Sequence, residues 1–194
     1  MRKLNSVPTL TLLVAVVGFS ALTALPGAAQ SIDVGGNYNY IHTNAPPGGC
    51  GCFPLNGGSA WLGLNVSHSF SLVGEIASQH GRDSGSNGDL TLTSFMVGPR
   101  YSIKRGGHFA PFGQVLVGVA HASGSLAPGS SDIAGSSNSF AMAAGGGLDV
   151  NLSEHFTLRA IQGDYFLTQF ENGSNDRQNN FRLGLGLIIK FGAR

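Results

Sequence analysis

Residues 139–170 read SFAMAAGGGLDVNLSEHFTLRAIQGDYFLTQF. A strand sends successive side chains to opposite faces. Over 139–150 this puts Phe140, Met142, Ala144, Leu148 and Val150 on one face and Ala143, Gly145, Gly147 and Asp149 on the other. After the polar break Asn151–His155, the run Phe156-Thr157-Leu158-Arg159-Ala160 again separates a charge from apolar residues. The hairpin therefore has one greasy face and one face of glycine with isolated Asp and Arg. A soluble sandwich hides its bulky face in a core. Bulky residues set against a small, charged face instead give the inside-out pattern of a barrel standing in lipid. Past Arg159 the parity changes, with Gln162 and Asp164 out of phase, which predicts a β-bulge near Ala160–Ile161.

The same alternation runs outward from this hairpin in both directions. Ile32–Thr43 sets Ile32, Val34, Tyr38 and Tyr40 against Asp33, Asn37 and Asn39. Ala60–Ser67 sets Leu62, Leu64 and Val66 against Trp61, Gly63 and Asn65, and Leu72–His80 sets Leu72 and Ile76 against Glu75, Ala77 and Gln79. Leu90–Ile103 opposes Phe95, Val97 and Tyr101 to Ser94, Gly98 and Arg100, and Phe109–His121 opposes Val115, Val117 and Val119 to Gln114, Leu116 and Gly118. Asn180–Phe191 closes the series with Leu183, Leu185, Leu187 and Ile189 against Arg182, Gly184, Gly186 and Lys190. Long polar loops (Asn44–Ser59, Gly81–Asp89, Ala122–Asn138, Thr168–Asn179) alternate with short breaks (His68–Ser71, Lys104–His108, Asn151–His155). Eight strands, long enough to cross a bilayer when tilted, with long loops on one side and short turns on the other, predict an all-β, eight-stranded, antiparallel up-and-down transmembrane barrel.

The N-terminus reads as an export signal. Arg2 and Lys3 precede the apolar run Leu10–Leu22, and Gly27-Ala28-Ala29 supplies small residues for cleavage. This divides the chain into a signal peptide, 1–29, and a barrel domain, 30–194. Without Arg2 and Lys3, nine basic residues face ten acidic ones, and no basic patch argues for nucleic acid. Thirty glycines and few charges exclude a long-helix protein, and no later run of about 20 apolar residues predicts a membrane helix.

Ser94–Lys104 (SFMVGPRYSIK), Ala110–His121 (APFGQVLVGVAH), Phe140–Phe170 and Gln178–Gly192 (QNNFRLGLGLIIKFG) resemble the small outer-membrane β-barrel family, akin to OmpA/OmpX-type eight-stranded barrels. The likeness spans Gln30 to Gly192, and no OmpA-style peptidoglycan-binding domain is expected after it. The resemblance implies an integral barrel in outer-membrane lipid of a Gram-negative-type envelope, without implying one activity. Gly186-x-x-Ile189-x-Phe191 resembles the terminal signal read by the barrel-assembly machinery, with Gly184 where a polar residue is usual and Gly192-Ala193-Arg194 following.

By parity the interior holds the acids Asp33, Glu75, Asp149 and Asp164 and the bases Arg100, Arg159, Arg182 and Lys190. Hairpin geometry brings Asp149 to Arg159 and Asp164 to Arg182, sets Arg100 in diagonal reach of Glu75, and places Asp33 with Lys190 at the inner end. A barrel of eight strands is just wide enough inside for side chains, so crossed ion pairs predict a plugged lumen.

His42, His80 and His121 fall on the lipid-facing parity and diverge, so no metal site and no cofactor are expected. Cys50 and Cys52, an even count in an exported chain, suggest a strained loop disulfide. No Gly-x-Ser-x-Gly elbow or His-Asp-Ser set occurs, and no enzyme is expected. The reading is thus an outer-membrane scaffold, structural or meeting an extracellular ligand through Asn44–Ser59 and Ala122–Asn138. The alternatives are a narrow, porin-like channel for ions or very small solutes and a lipocalin-like soluble binder of an apolar ligand.

Overall fold

The computed structural model describes residues 31–43, 54–82, 89–103, 107–124, 135–170 and 176–192. Its strands follow the chain as β1 (Ile32–His42), β2 (Pro54–Asn65), β3 (Phe70–Arg82), β4 (Asp89–Ser102), β5 (Phe109–Gly124), β6 (Gly135–Asn151), β7 (Phe156–Thr168) and β8 (Gln178–Phe191). Each pairs antiparallel with its neighbours in sequence, and β8 pairs with β1, so the sheet is a closed barrel. Hydrocarbon offers backbone groups no partner, and a closed ladder satisfies them all internally. Among the described residues no helix is long and apolar enough to cross a membrane.

The ladders climb as they go round. From Ile32 the partners run through Leu64 and Leu72 to Pro99. From Val115 across β5 they run through Ala144, Tyr165 and Phe181 to reach β1 again at His42. One circuit thus rises nearly the whole length of β1, the stagger that tilts the strands of a small barrel.

The outward rows are apolar across the middle of the barrel and turn polar only towards the long-loop end, at Ser78, His80, Thr91, Thr93, His121 and Asn138. Val34, Leu62, Phe95, Val97, Val117, Leu185 and Leu187 are all exposed, the reverse of a soluble ligand-binding barrel. Aromatic rings gather at the two ends of this band. Phe70, Tyr101, Phe109, Phe156 and Phe191 stand at the short-turn end, and Tyr38, Tyr40, Tyr165 and Phe181 at the other. Such girdles mark the two interfaces of a membrane barrel.

Two short turns share one chemistry. In Val66–Ser69 and Leu152–His155, two successive amides donate to the carbonyl of Phe70 or Phe156. The Ser67 and Ser153 hydroxyls accept from the amides of those same phenylalanines, the hydroxyl-to-backbone bonding that favours serine in turns.

Several strands are longer than the sequence predicts. β2 begins at Pro54 rather than Ala60, because Gly57, Gly58 and Ser59 pair with Asn39, Tyr38 and Asn37 instead of looping. The serine-rich ends of β5 and β6 zip up as far as Gly124 opposite Gly135, where Gly124 takes a left-handed φ of 124° that ends the strand. Phe70 and Ser71 belong to β3 and not to the preceding turn, β3 runs on to Arg82, and β8 starts at Gln178. The bulge lies where parity places it. Ala160 and Ile161 both face outward, and the ladders slip between Leu148 and Asp149 on one side and between Arg159 and Gln162 on the other.

The core is the lumen. Besides polar groups it holds an apolar cluster that the alternation of glycine and charge does not predict. Ile41, Leu55, Leu92, Phe166 and Phe170 are buried together near the long-loop end.

Candidate functional site

The central layer of the lumen is built along one rung of the ladders, where Gln114, Gly145, Asp164 and Arg182 are successive partners on β5 to β8. A Cβ on Gly145 would lie 2.6 Å from Asp164 Oδ1, so the missing side chain is what lets that carboxylate lean towards Gln114. Arg182 donates from Nε and Nη2 to Asp164 Oδ2 at 3.0 and 2.7 Å, and from Nη1 across the lumen to Glu75 Oε1 at 2.6 Å. All three residues are at most 4% exposed. Buried charges are tolerable only when paired and hydrogen-bonded, and this guanidinium meets both conditions with two acids.

The bulge sets up the second ion pair. By turning Ala160 and Ile161 outward it leaves Arg159 and Gln162 both facing in. Arg159 binds Asp149 through both carboxylate oxygens, at 2.8 and 3.1 Å, and donates to Gln162 Oε1 at 2.9 Å. Gln162 passes the polarity on, donating to Asp164 Oδ2 at 2.6 Å. Gln114 does likewise on the other flank, accepting from Arg100 Nε and Nη2 at 3.0 and 2.8 Å and donating to Asp164 Oδ1 at 3.5 Å. Two glutamines thus connect two arginines to one carboxylate.

The space between those arginines is filled by rings. Trp61 lies flat over Gly35, its partner on β1, where a Cβ would come within 2.3 Å of the indole. Arg100 Cζ stands 4.1 Å from the Trp61 centroid and 5.0 Å from that of Phe112; Arg159 Cζ stands 4.6 and 4.2 Å from the same two rings. A guanidinium over an aromatic face gains on the order of 2 kcal/mol when desolvated, which helps two like charges share one layer.

Asp33 and Lys190 face each other across β1 and β8 at the short-turn end. There the Lys190 ammonium donates to Asn151 Oδ1, which also accepts from the Thr157 hydroxyl at 2.6 Å. At the opposite end Phe170, just past β7, is held by a paired amide contact with Gln178, at 2.9 and 3.0 Å. Its ring is buried in the apolar cap.

The structure therefore brings together Asp149 with Arg159 and Asp164 with Arg182. It does not bring Glu75 to Arg100. Their rungs are offset, Glu75 standing opposite Met96 and Arg100 opposite Ser71, and Arg182 reaches Glu75 from the far wall instead. Gln114, Gln162 and Phe112 join the site as partners that a search for charges alone passes over, although parity already turns them inward beside the arginines. Gly186 faces the lumen on β8, while Ile189 and Phe191 face lipid. Cys50, Cys52 and the segment 1–29 lie outside the described residues. His42, His80 and His121 sit on three different strands; the rings of His80 and His121 bond to Thr91 and Asn138 on adjacent strands. Among the described residues no three His, Cys, Asp or Glu side chains gather to hold a metal.

A family model described as outer membrane protein beta-barrel domain matches residues 11–188 of this sequence. No curated protein matches it by sequence. Among solved structures, Neisserial surface protein A (NspA) superposes with a TM-score of 0.65 at 13% identity, over 85% of this chain and 100% of that one. OprG of Pseudomonas aeruginosa gives 0.55 at 10% identity, over 85% and 97%. Ail of Yersinia pestis gives 0.52 at 18% identity, over 84% and 98%. At these identities the likeness is one of fold.

Proposed function

This chain belongs to the family of outer membrane protein beta-barrel domains and resides in the outer membrane, and from that premise we propose that it is a closed, non-catalytic scaffold that presents its long loops outside the cell. The observation that carries this reading is the bridge Glu75–Arg182–Asp164, which crosses the lumen from β3 to β8 with every member buried. A lumen filled this way supports a plug, and a plugged barrel offers the outside world only its loops. The connections around 44–53 and 125–134 are the candidates for contact. Ail, which shares the fold, is described as an attachment invasion locus protein, and that favours surface contact over transport. Export by the 1–29 segment, pinning of the first loop by Cys50 and Cys52, and reading of Gly186, Ile189 and Phe191 by the barrel-assembly machinery complete the proposal.

Planar-bilayer recording of the purified full chain tests the plug. No steady conductance is expected. A steady conductance that disappears in Arg100→Ala would replace this reading with the narrow-channel one. The loop role is tested by comparing surface adhesion of cells that carry the whole chain with cells in which 44–53 and 125–134 are shortened. Adhesion should fall while the heat-modifiable folded band on gels persists. For the assembly signal, Phe191→Ala should reduce that band in outer-membrane fractions.

A further inference from the structure

The outward face of β1–β5 carries a groove of about 600 Å³ at mid-barrel, within the range of about 300–1,000 Å³ typical of small-molecule sites. Its floor is Gly74 on β3, where an added Cβ would meet nothing within 4 Å, so the space is open. Gly74 stands on a rung otherwise built of Val34, Leu62, Val97 and Val117. The next rung towards the long loops sets Ala60 beside Ile76, Phe95 and Val119. Two small residues among bulky, exposed ones make the depression. Gly163, an outward glycine on β7, makes none, because Phe181 and Leu183 close over it at 3.6 and 3.9 Å.

Directly above the groove the lipid-facing parity turns polar. Ser78, Thr93, His121 and Asn138 are successive partners on β3 to β6, and His80, Thr91, Ser123 and Ser136 form the rung beyond them. Bonds between neighbours hold this surface in place: His80 Nδ1 to the Thr91 hydroxyl at 3.0 Å, His121 Nδ1 to Asn138 Oδ1 at 2.8 Å, and Ser78 to Thr93 at 3.3 Å. None of these residues is a carboxylate, lysine or arginine, and Arg82 and Asp89, one rung higher, face each other with opposite sign. Hydroxyls, an amide and imidazoles both donate and accept, which suits sugar hydroxyls better than a bare anion. Gly74 to Ser78 is four residues, or about 13 Å along a strand, less than half of a hydrocarbon core of about 30 Å. A lipid whose head rests on the polar rungs can therefore lay an acyl chain in the groove without leaving its leaflet.

We propose that the outer wall of β2–β5 is a specific site for a glycolipid of the outer leaflet, its sugar head on the rungs of Ser78 and His80 and one acyl chain in the groove over Gly74. The site goes beyond the scaffold role and needs only residence in the outer membrane, so a conducting lumen would leave it untouched. The test is NMR on the full chain in phosphatidylcholine nanodiscs, titrated with an acylated diglucosamine lipid with and without its phosphates, and separately with phosphatidylglycerol. The Gly74 amide and the Thr93 methyl should shift and saturate with both forms of the sugar lipid, while the Gly163 amide on the far wall stays still. A response only to phosphatidylglycerol, or only to the phosphorylated sugar lipid, means an anion site and overturns the proposal. Equal shifts at Gly163 mean ordinary lipid contact, and shifts that follow protein concentration without sugar lipid mean a second copy in the groove; either overturns it too. Gly74→Leu, which fills the groove from the lipid side, should weaken binding of the sugar lipid by about tenfold, the equivalent of two methylenes displaced. The heat-modifiable band reports whether that variant is folded, and an undiminished affinity in the folded variant overturns the proposal.

Discussion

Arg182 holds two buried carboxylates at once, and removing it exposes what each is worth. In Arg182→Ala, Asp164 keeps its glutamine contacts, but Glu75 loses the one hydrogen bond formed by its Oε1. Breaking a buried pair from one side costs about 3–5 kcal/mol, since a desolvated charge is left behind. The folded band should therefore convert to the unfolded one at clearly lower temperature or urea concentration, and a variant as stable as the parent would show that the bridge is decorative. Gly35 is a residue of the opposite kind, needed for what it lacks. Gly35→Val would drive a side chain into the indole of Trp61, at an overpacking cost of about 1–3 kcal/mol. Because Trp61 separates Arg100 from Arg159, its fluorescence should shift as well, and an unchanged emission spectrum would argue that the ring has another resting place.

At the scale of the strand, β7 shows why a single residue matters. Side chains alternate with period two, so one extra residue is the only way to have Arg159 and Gln162 both inside. Deleting Ile161 would remove the extra residue and leave Arg159, Gln162 and Asp164 all facing the lumen by strict alternation. We expect the heat-modifiable folded band to persist in that deletion, whereas deleting both Ala160 and Ile161 would put Gln162 and Asp164 on the lipid face and should abolish it. A folded band of normal yield from the double deletion would mean that the ladder can slip to compensate. This bulge is legible in the sequence because polar residues betray the phase, and for the same reason so are the eight strands and the pairing of Asp149 with Arg159. The strand ends are less so. Pro54–Ser59 and Gly135–Asn138 carry loop-type residues, and only the neighbouring strands, already in place, recruit them into the ladder. Glu75 is illegible for a different reason: sequence spacing ranks partners on adjacent strands, whereas Arg182 reaches it across the lumen, a distance set by barrel closure. The apolar cap is missed in the same way, since Ile41, Leu55, Leu92 and Phe166 are single apolar residues on inward parities whose meeting depends on the stagger of the whole barrel.

At the scale of the molecule, the proposed plug amounts to two barriers stacked along the axis of the lumen. One is the layer of ions and rings around Arg182, Arg159 and Arg100. The other is the cap of Ile41, Leu55, Leu92, Phe166 and Phe170 at the long-loop end. On that proposal they would oppose passage by different physics: the first by occupying the bore with side chains locked in ion pairs, the second by excluding water, as apolar constrictions do. In series, each barrier that blocks by itself is sufficient, so removing one leaves the other to hold the bore shut. Arg182→Ala is expected to give no steady conductance in planar bilayers, because the cap still dewets the outer bore. The pair Leu55→Ala with Phe166→Ala is expected to be silent too, because the ionic layer still fills the inner bore. Only the triple combination should pass ions, with the folded band on gels confirming for each variant that a barrel is present. If Arg182→Ala by itself conducts as well as the triple variant, the cap is no barrier and the plug reduces to its charges.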